Sequence, residues 1–192
     1  MGGLLEVMAE RGYEGATIVA IAKAAGLRSG LVHYHFETKR AILVALVERL
    51  VETVDQRFKS RLQGVDATPR ERLDAWIDAH LALGPEADPD AVAAWIFIGG
   101  EAIRQADVRE IYQRAMTSRI SGAQQLVRDV LMSDGRSTQK VAELAALLVA
   151  AVEGAYQLGA TVPGELPSGF AAPYVQRVLR GLIDSEPRVK GG

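Results

Sequence analysis

The chain has 192 residues, 48% of them hydrophobic and 24% charged, with a formal net charge of -2 at pH 7. That length and balance suit one compact domain, or a small module joined to a larger one, and exclude wholesale disorder. The absence of cysteine excludes disulfides, thiol catalysis and Cys-ligated metal, and fits a reducing compartment.

The first residues, MGGLLEVMAERG, carry acids and no long apolar core, so they do not read as a signal peptide. A first helix is expected over residues 4–11, with Leu4, Leu5, Val7 and Met8 on its apolar face and Gly12 at its end. Thr17 is placed to cap a second helix reaching about residue 24, in which Ile18, Ile21, Ala22 and Ala25 fall at helical spacing. Gly26 interrupts that pattern and Leu27 is expected to plug the turn. A third short helix follows over residues 29–34, with Leu31, Val32 and Phe36 expected inside. Two short helices around a glycine-centred break are the layout of a helix-turn-helix, whose second helix enters the DNA major groove. Between residues 17 and 40, Lys23, Arg28, Lys39 and Arg40 stand against Glu37, a local net charge of +3 on a chain that is acidic elsewhere.

A long fourth helix is expected from Thr38 to about residue 62, with Ile42, Leu43, Leu46, Val47, Leu50, Val54 and Phe58 on one face. After a linker, Thr68-Pro69-Arg70-Glu71 has the composition of a helix start: capping Thr, Pro in the first turn, Glu three positions on. The fifth helix should run to about residue 83 and break at Gly84-Pro85. Asp88-Pro89 opens a sixth to about residue 104. Asp107-Val108-Arg109-Glu110 reads as a capping box for a seventh, to about residue 132. An eighth over residues 137–160 is apolar on more than one side, yet its longest apolar run, Leu144 to Val152, is too short to span a bilayer. A ninth follows Pro173, with Tyr174, Val175, Val178, Leu179 and Leu182 inside, and the tail from Ser185 should fray. The pattern is all-α, with no strand run and no internal repeat.

The order Thr17, Ile21-Ala22, Ala25-Gly26-Leu27, Gly30, His35-Phe36 and Lys39, with Gly12-Tyr13 upstream, resembles the DNA-binding module of the tetracycline-repressor (TetR) family. The resemblance covers about the first quarter of the chain and, through the helix count, more loosely the rest. It implies a nine-helix TetR-like fold. Residues 1–40 would be the DNA-binding domain, residues 38–62 a connecting helix, and residues 41–192 a ligand-binding and dimerisation domain. It also implies that Thr17 bonds a phosphate, that Arg28, Ser29, Leu31 and His33 meet base edges or phosphates, and that Tyr34 and Lys39 contact the backbone. His33 departs from the tyrosine usual there. The first helix is shorter than the family's, which usually adds a basic segment and one or two turns. The remainder more distantly resembles the C-terminal domain of the betaine-regulator (choline-responsive) branch, through Trp95-Ile96-Phe97 and Val152-Glu153-Gly154-Ala155.

Two further sets of residues stand out. Trp76, His80, Trp95, Glu101, Arg104 and Tyr112 offer apolar walls with a few polar groups, the makings of a small-molecule site. The alternative is that the tryptophans are core and that Glu101 and Arg104 form a solvated pair at i,i+3. Gly99-Gly100 marks either a kink or a close approach. Leu144, Leu148, Val152 and Ala155 on helix 8, with Val175, Leu179 and Leu182 on helix 9, suggest a two-fold four-helix interface between protomers; a plain intrachain core is the alternative. His33 and His35, two apart on a helix, point to different faces and do not suggest a shared metal. No catalytic constellation, cofactor motif or metal set is expected. The reading is a cytoplasmic homodimeric repressor, not an enzyme, that binds a palindromic double-stranded DNA operator and is released by a small-molecule inducer. The other reading is a helical ligand-binding or protein-interaction dimer with weak or lost DNA binding.

Overall fold

A computed structural model describes residues 2–81, 88–162 and 164–189. Among them are nine helices: α1 (Gly2–Gly15), α2 (Ile18–Ala24), α3 (Ser29–His35), α4 (Lys39–Leu62), α5 (Pro69–Leu81), α6 (Pro89–Arg104), α7 (Ala106–Ser133), α8 (Val141–Thr161) and α9 (Ala171–Ser185). No strand occurs among the described residues; extended pairing is confined to one isolated antiparallel bridge, Arg136 with Arg188. The fold is all-α. The break expected at Gly84-Pro85 lies outside the described residues.

The chain divides into two compact units. The first comprises Met1–Glu52 and Ala93–Ala115. In α1, Leu4, Val7 and Met8 are buried at helical spacing. Gly3 allows α1 to approach α2: a Cβ there would lie 2.6 Å from the carbonyl oxygen of Ile21. Gly12 does break the helix, with φ 68° and ψ 172°, but a further helical turn follows to Gly15. Thr17 caps α2, its Oγ1 accepting the Ala20 N–H at 3.1 Å, and Thr38 caps α4 by accepting from Ala41 at 3.1 Å. Val32 is the buried residue of α3, Phe36 is half-buried, and Leu27 and Leu31 face outward. Leu27 therefore does not plug the turn: Ile21, Ala22 and Val32 close this small core instead.

The seventh helix does not begin with the expected capping box. Gln105 N–H bonds the Glu101 carbonyl at 2.8 Å and Arg109 N–H bonds the Gln105 carbonyl at 2.9 Å. The backbone thus turns directly from α6 into α7, and Asp107 falls inside the first turn. Gly99 has a packing reason: a Cβ would stand 3.2 Å from the Tyr112 hydroxyl.

The second unit comprises Thr53–Val92 and Met116–Gly192. Its α5 opens with the expected reciprocal box, Thr68 N–H to Glu71 Oε2 at 2.8 Å and Glu71 N–H to Thr68 Oγ1 at 3.3 Å. Leu73 and Ile77 from α5, Val127, Val130 and Leu131 from α7, Leu144, Leu148 and Val152 from α8, and Leu179 and Ile183 from α9 form its core. A polar seam ties the ends together: Arg70 reaches Asp134 at 2.6 Å and Asp184 at 2.5 Å, and Arg180 reaches Asp74 at 2.9 Å. Two expected boundaries move. α8 starts at Val141 rather than near 137, because the preceding segment pairs with the tail. Ser137 N–H bonds the Pro187 carbonyl at 2.8 Å and Val189 N–H bonds the Gly135 carbonyl at 2.9 Å. Residues 186–189 are accordingly pinned and not frayed. By length and composition α8 as a whole is apolar enough to cross a membrane, although its Leu144–Val152 stripe is core.

Candidate functional site

The surface offered by the helix-turn-helix follows from which residues α3 buries. Val32 turns inward, so Arg28, Ser29, Leu31, His33 and Tyr34 are all exposed, Tyr34 at 83%. His35 packs edge-on against Tyr34 with ring centroids 5.1 Å apart. Thr17 is exposed at the start of α2, with its hydroxyl oxygen engaged in the cap and its proton available to an acceptor. Lys23 and Arg28 are the outward cations of this module.

The other two cations counted in the basic patch are tied internally. Lys39 Nζ donates to the carbonyls of Tyr13 at 2.9 Å and Glu14 at 3.1 Å, and lies 4.5 Å from the centre of the Tyr13 ring. Two of its three protons are thus spent on the backbone after the break in α1. Arg40 bonds the Asp107 carbonyl at 3.3 Å and Glu110 Oε2 at 2.8 Å, which holds the Glu110 carboxyl below its ordinary range. The positive field on the reading face is smaller than the formal count suggests.

The six residues expected to line a ligand site fall into two groups, one in each unit. In the first unit Trp95 is buried and stacks on half-buried Tyr112 at 4.9 Å. Glu101 is 3% exposed and both its oxygens are engaged: Oε2 accepts the Tyr13 N–H at 3.3 Å and Oε1 pairs with Arg104. Glu101 is therefore a structural acceptor, and Arg104 extends into solvent as its partner. Neither is disposed as a free ligand group, because the break at Gly12 leaves an amide that needs that carboxylate.

In the second unit Trp76 and His80 are buried and stacked, with centroids 3.8 Å apart. His80 Nδ1 lies 2.9 Å from the Trp76 carbonyl, so it carries the proton and Nε2 is the acceptor. Burial, reinforced by the nearby Arg119 charge, pushes the His80 pKa down to about 3, and the ring is neutral. Three residues absent from the expected set join this centre. Arg119 of α7 is almost fully buried and pairs with Glu153 of α8, and the Tyr156 hydroxyl is pushed up to about 12 by burial. Glu153 was signalled by its place in an apolar helix. Arg119 had no such signal, because it stands in the polar run of α7 like any surface charge. Among the described residues no group of three or more His, Asp or Glu is placed to hold a metal.

The expected interface residues also separate. Leu144, Leu148, Val152 and Leu179 are buried in the second unit, Leu148 at 1% and Leu179 at 3% exposure, while Ala155, Val175 and Leu182 are half-buried. An apolar groove of about 290 Å³ runs between α8 and α9: Leu148, Ala155, Val175 and Leu179 of the expected set line it, and exposed Leu147, Leu158, Tyr174 and Val178 edge it. Leu144 and Val152 are absent from that lining and belong to the chain's own core, whereas Leu148 and Leu179 serve both the core and the floor of the groove.

Residues 3–46 match the family model described as bacterial regulatory proteins, tetR family, and residues 69–184 match the model of the BetI-type transcriptional repressor C-terminal region. The chain belongs to the TetR family. It is a DNA-binding transcriptional regulator and not an enzyme. Among its curated relatives is the HTH-type transcriptional regulator BetI of Rhizobium meliloti, 30% identical over 192 residues that cover 96% of this chain and 91% of the relative. Solved structures share the fold. A transcriptional regulator from Rhodococcus superposes with a TM-score of 0.73 at 24% identity, covering 98% of this chain and 96% of that one. A regulator from Saccharomonospora viridis, solved in complex with choline, superposes with a TM-score of 0.65 at 24% identity, covering 98% and 97%.

Proposed function

We propose that this TetR-family chain is a cytoplasmic homodimeric repressor of a palindromic operator, released when a small-molecule inducer binds. Residues 1–40 form its DNA-binding domain, α4 connects, and residues 41–192 bind the inducer and dimerise. The observation that carries the DNA reading is α3, which buries only Val32 and presents Arg28, Ser29, Leu31, His33 and Tyr34 outward. Arg28 has the fork to read a guanine edge or a phosphate, Leu31 suits a thymine methyl, and Thr17, Tyr34 and the third proton of Lys39 suit phosphates. The groove edged by Leu147, Leu158, Tyr174 and Val178 is the apolar surface a second copy would cover. The buried centre of Trp76, His80, Arg119, Glu153 and Tyr156 is where an inducer would meet both an aromatic wall and polar groups.

The BetI-type C-terminal match and the choline-bound relative make choline the first inducer to test. Mobility shift of the DNA upstream of the chain's own gene, repeated over a choline series, tests both parts. Binding lost as choline rises supports the reading. Binding indifferent to choline removes choline as inducer, and no shift with any upstream segment removes the repressor assignment. The internal use of Lys39 and Arg40 favours a second reading, a ligand-binding dimer whose DNA affinity is weak; full-strength binding at physiological salt would dismiss it.

A further inference from the structure

The break in α1 is held from outside the helix-turn-helix. Gly12 leaves the helical region, and the Tyr13 N–H that follows it turns to a side chain outside α1. Glu101 Oε2 accepts it from α6, 88 positions away. Lys39, the first residue of α4, grips the other side of the same segment through the Tyr13 and Glu14 carbonyls. Tyr13 itself is buried with its hydroxyl lacking a hydrogen-bond partner. An unpaired buried hydroxyl opposes this placement, and the backbone bonds to Glu101 and Lys39, together with burial of the ring and the Lys39 contact with it, offset that cost. A second tie runs alongside: Arg40, in the first turn of α4, bonds the Asp107 carbonyl and Glu110 in the first turn of α7.

Both ties end on one stiff piece. The last carbonyls of α6, Ala102 and Ile103, accept from the Arg109 guanidinium at 2.8 and 2.6 Å, and the α6 backbone bonds directly into α7 through Gln105. The α6–α7 corner is thus bonded across its turn, and it carries both Glu101 and Glu110.

We propose that Glu101 and Arg40 are positioning residues for the DNA-reading head, through which the α6–α7 corner fixes the orientation of α1 and the start of α4. The inference rests on the DNA-binding role proposed for α3. Through Lys39 and Arg40 the corner holds α4 just after α3 ends, so a displaced corner turns the recognition helix. The ties make a signed forecast that ordinary electrostatics contradicts. Removing a negative charge from a DNA-binding protein should tighten its binding. Glu101→Gln and Glu110→Arg both remove negative charge, yet both loosen the head: the first weakens the hold on the Tyr13 amide, and the second repels Arg40.

The test is fluorescence anisotropy at fixed salt, using the full-length chain and a duplex that the wild type selects from a random pool. Glu101→Gln should weaken binding about tenfold, within the usual range of coupling between sites. Glu110→Arg should weaken it about threefold, as befits an exposed pair. Restoring the pair in reverse, Arg40→Glu with Glu110→Arg, should recover part of the loss, because the reversed pair regains its attraction while the contacts with Asp107 are lost. Unchanged or tighter binding by the two single variants overturns the proposal. Glu110 is exposed, so its variant remains informative even if Glu101→Gln fails to fold. A wild type that selects no duplex overturns the DNA-reading role itself; a wild type that binds alongside indifferent variants overturns this inference alone.

Discussion

Lys39 Nζ donates to the Tyr13 carbonyl at 2.9 Å while lying 4.5 Å from the centre of the Tyr13 ring. A lysine whose motif position suggests a phosphate contact is thus also a strut between α4 and the turn that ends α1. The two roles have separate observables. Lys39→Ala should lower the unfolding free energy by about 1 kcal/mol through the lost hydrogen bonds. If the third proton meets a phosphate, the slope of log Kobs against log salt should also shrink by about 0.9 per reading head. Urea melts read the first and a salt titration reads the second; an unchanged slope leaves Lys39 a strut only.

Dimerisation gives a prediction that discriminates between faces. Tyr174 is 60% exposed and Val178 is 55% exposed beside the α8–α9 groove. Tyr174→Glu or Val178→Asp should yield folded monomers by sedimentation velocity, with helical content retained. Leu148 and Leu179 line the groove but are buried, so a charge at either would destabilise the second unit as well and would not separate dimer loss from unfolding. Stable dimers from both surface variants would place the interface elsewhere.

His80 makes stability depend on pH. Folded His80 stays neutral down to about pH 3, whereas an unfolded histidine takes up a proton near its ordinary value of 6.5. Between those limits the unfolded chain binds a proton that the folded chain does not. Stability therefore falls as the pH drops from 6.5, by up to roughly 1.4 kcal/mol per unit from this residue, and is independent of His80 above that window. His80→Gln should flatten the stability profile of the wild type between pH 6 and about 4. Parallel profiles for the two proteins would mean that the ring charges in the folded state.

Gly3 tests the packing of α1. Gly3→Ala places a methyl 2.6 Å from the Ile21 carbonyl oxygen, a backbone atom that yields only if α1 shifts. The expected cost is about 1–3 kcal/mol, the range for overpacking, together with weaker DNA binding. A variant as stable as the wild type would show that α1 slides without penalty.

Much of this architecture is legible in the residues, because helix signals are local. Thr17, Thr38, Thr68 and Asp88 cap where their spacing says they should. The α3 face is legible only in part: Val32 is buried as its pattern predicts, whereas Leu31, expected inside beside it, faces outward because so short a helix buries a single residue. What is not legible depends on partners distant in sequence. Glu101 reads as half of a surface pair with Arg104 until Tyr13, 88 positions earlier, supplies an amide. Arg119 resembles its solvated neighbours until Glu153 faces it. Helix 8 is apolar on two sides, and periodicity alone does not say which stripe the chain's own core takes. The pinned tail depends on backbone bonds to Gly135 and Ser137, which composition does not encode.

The central claim is that α3 reads DNA in a two-fold frame. Selection of bound duplexes from a random pool by the full-length chain tests it most directly. The selected duplexes should carry an inverted repeat whose half-sites lie about one helical turn or a multiple apart, roughly 10–10.5 base pairs per turn. Arg28→Ala should relax preference at one position in each half-site, at a cost of about 1–3 kcal/mol if Arg28 bonds a guanine. A pool that emerges without sequence preference, or a preference indifferent to changes at Arg28, Leu31 and His33, would contradict it.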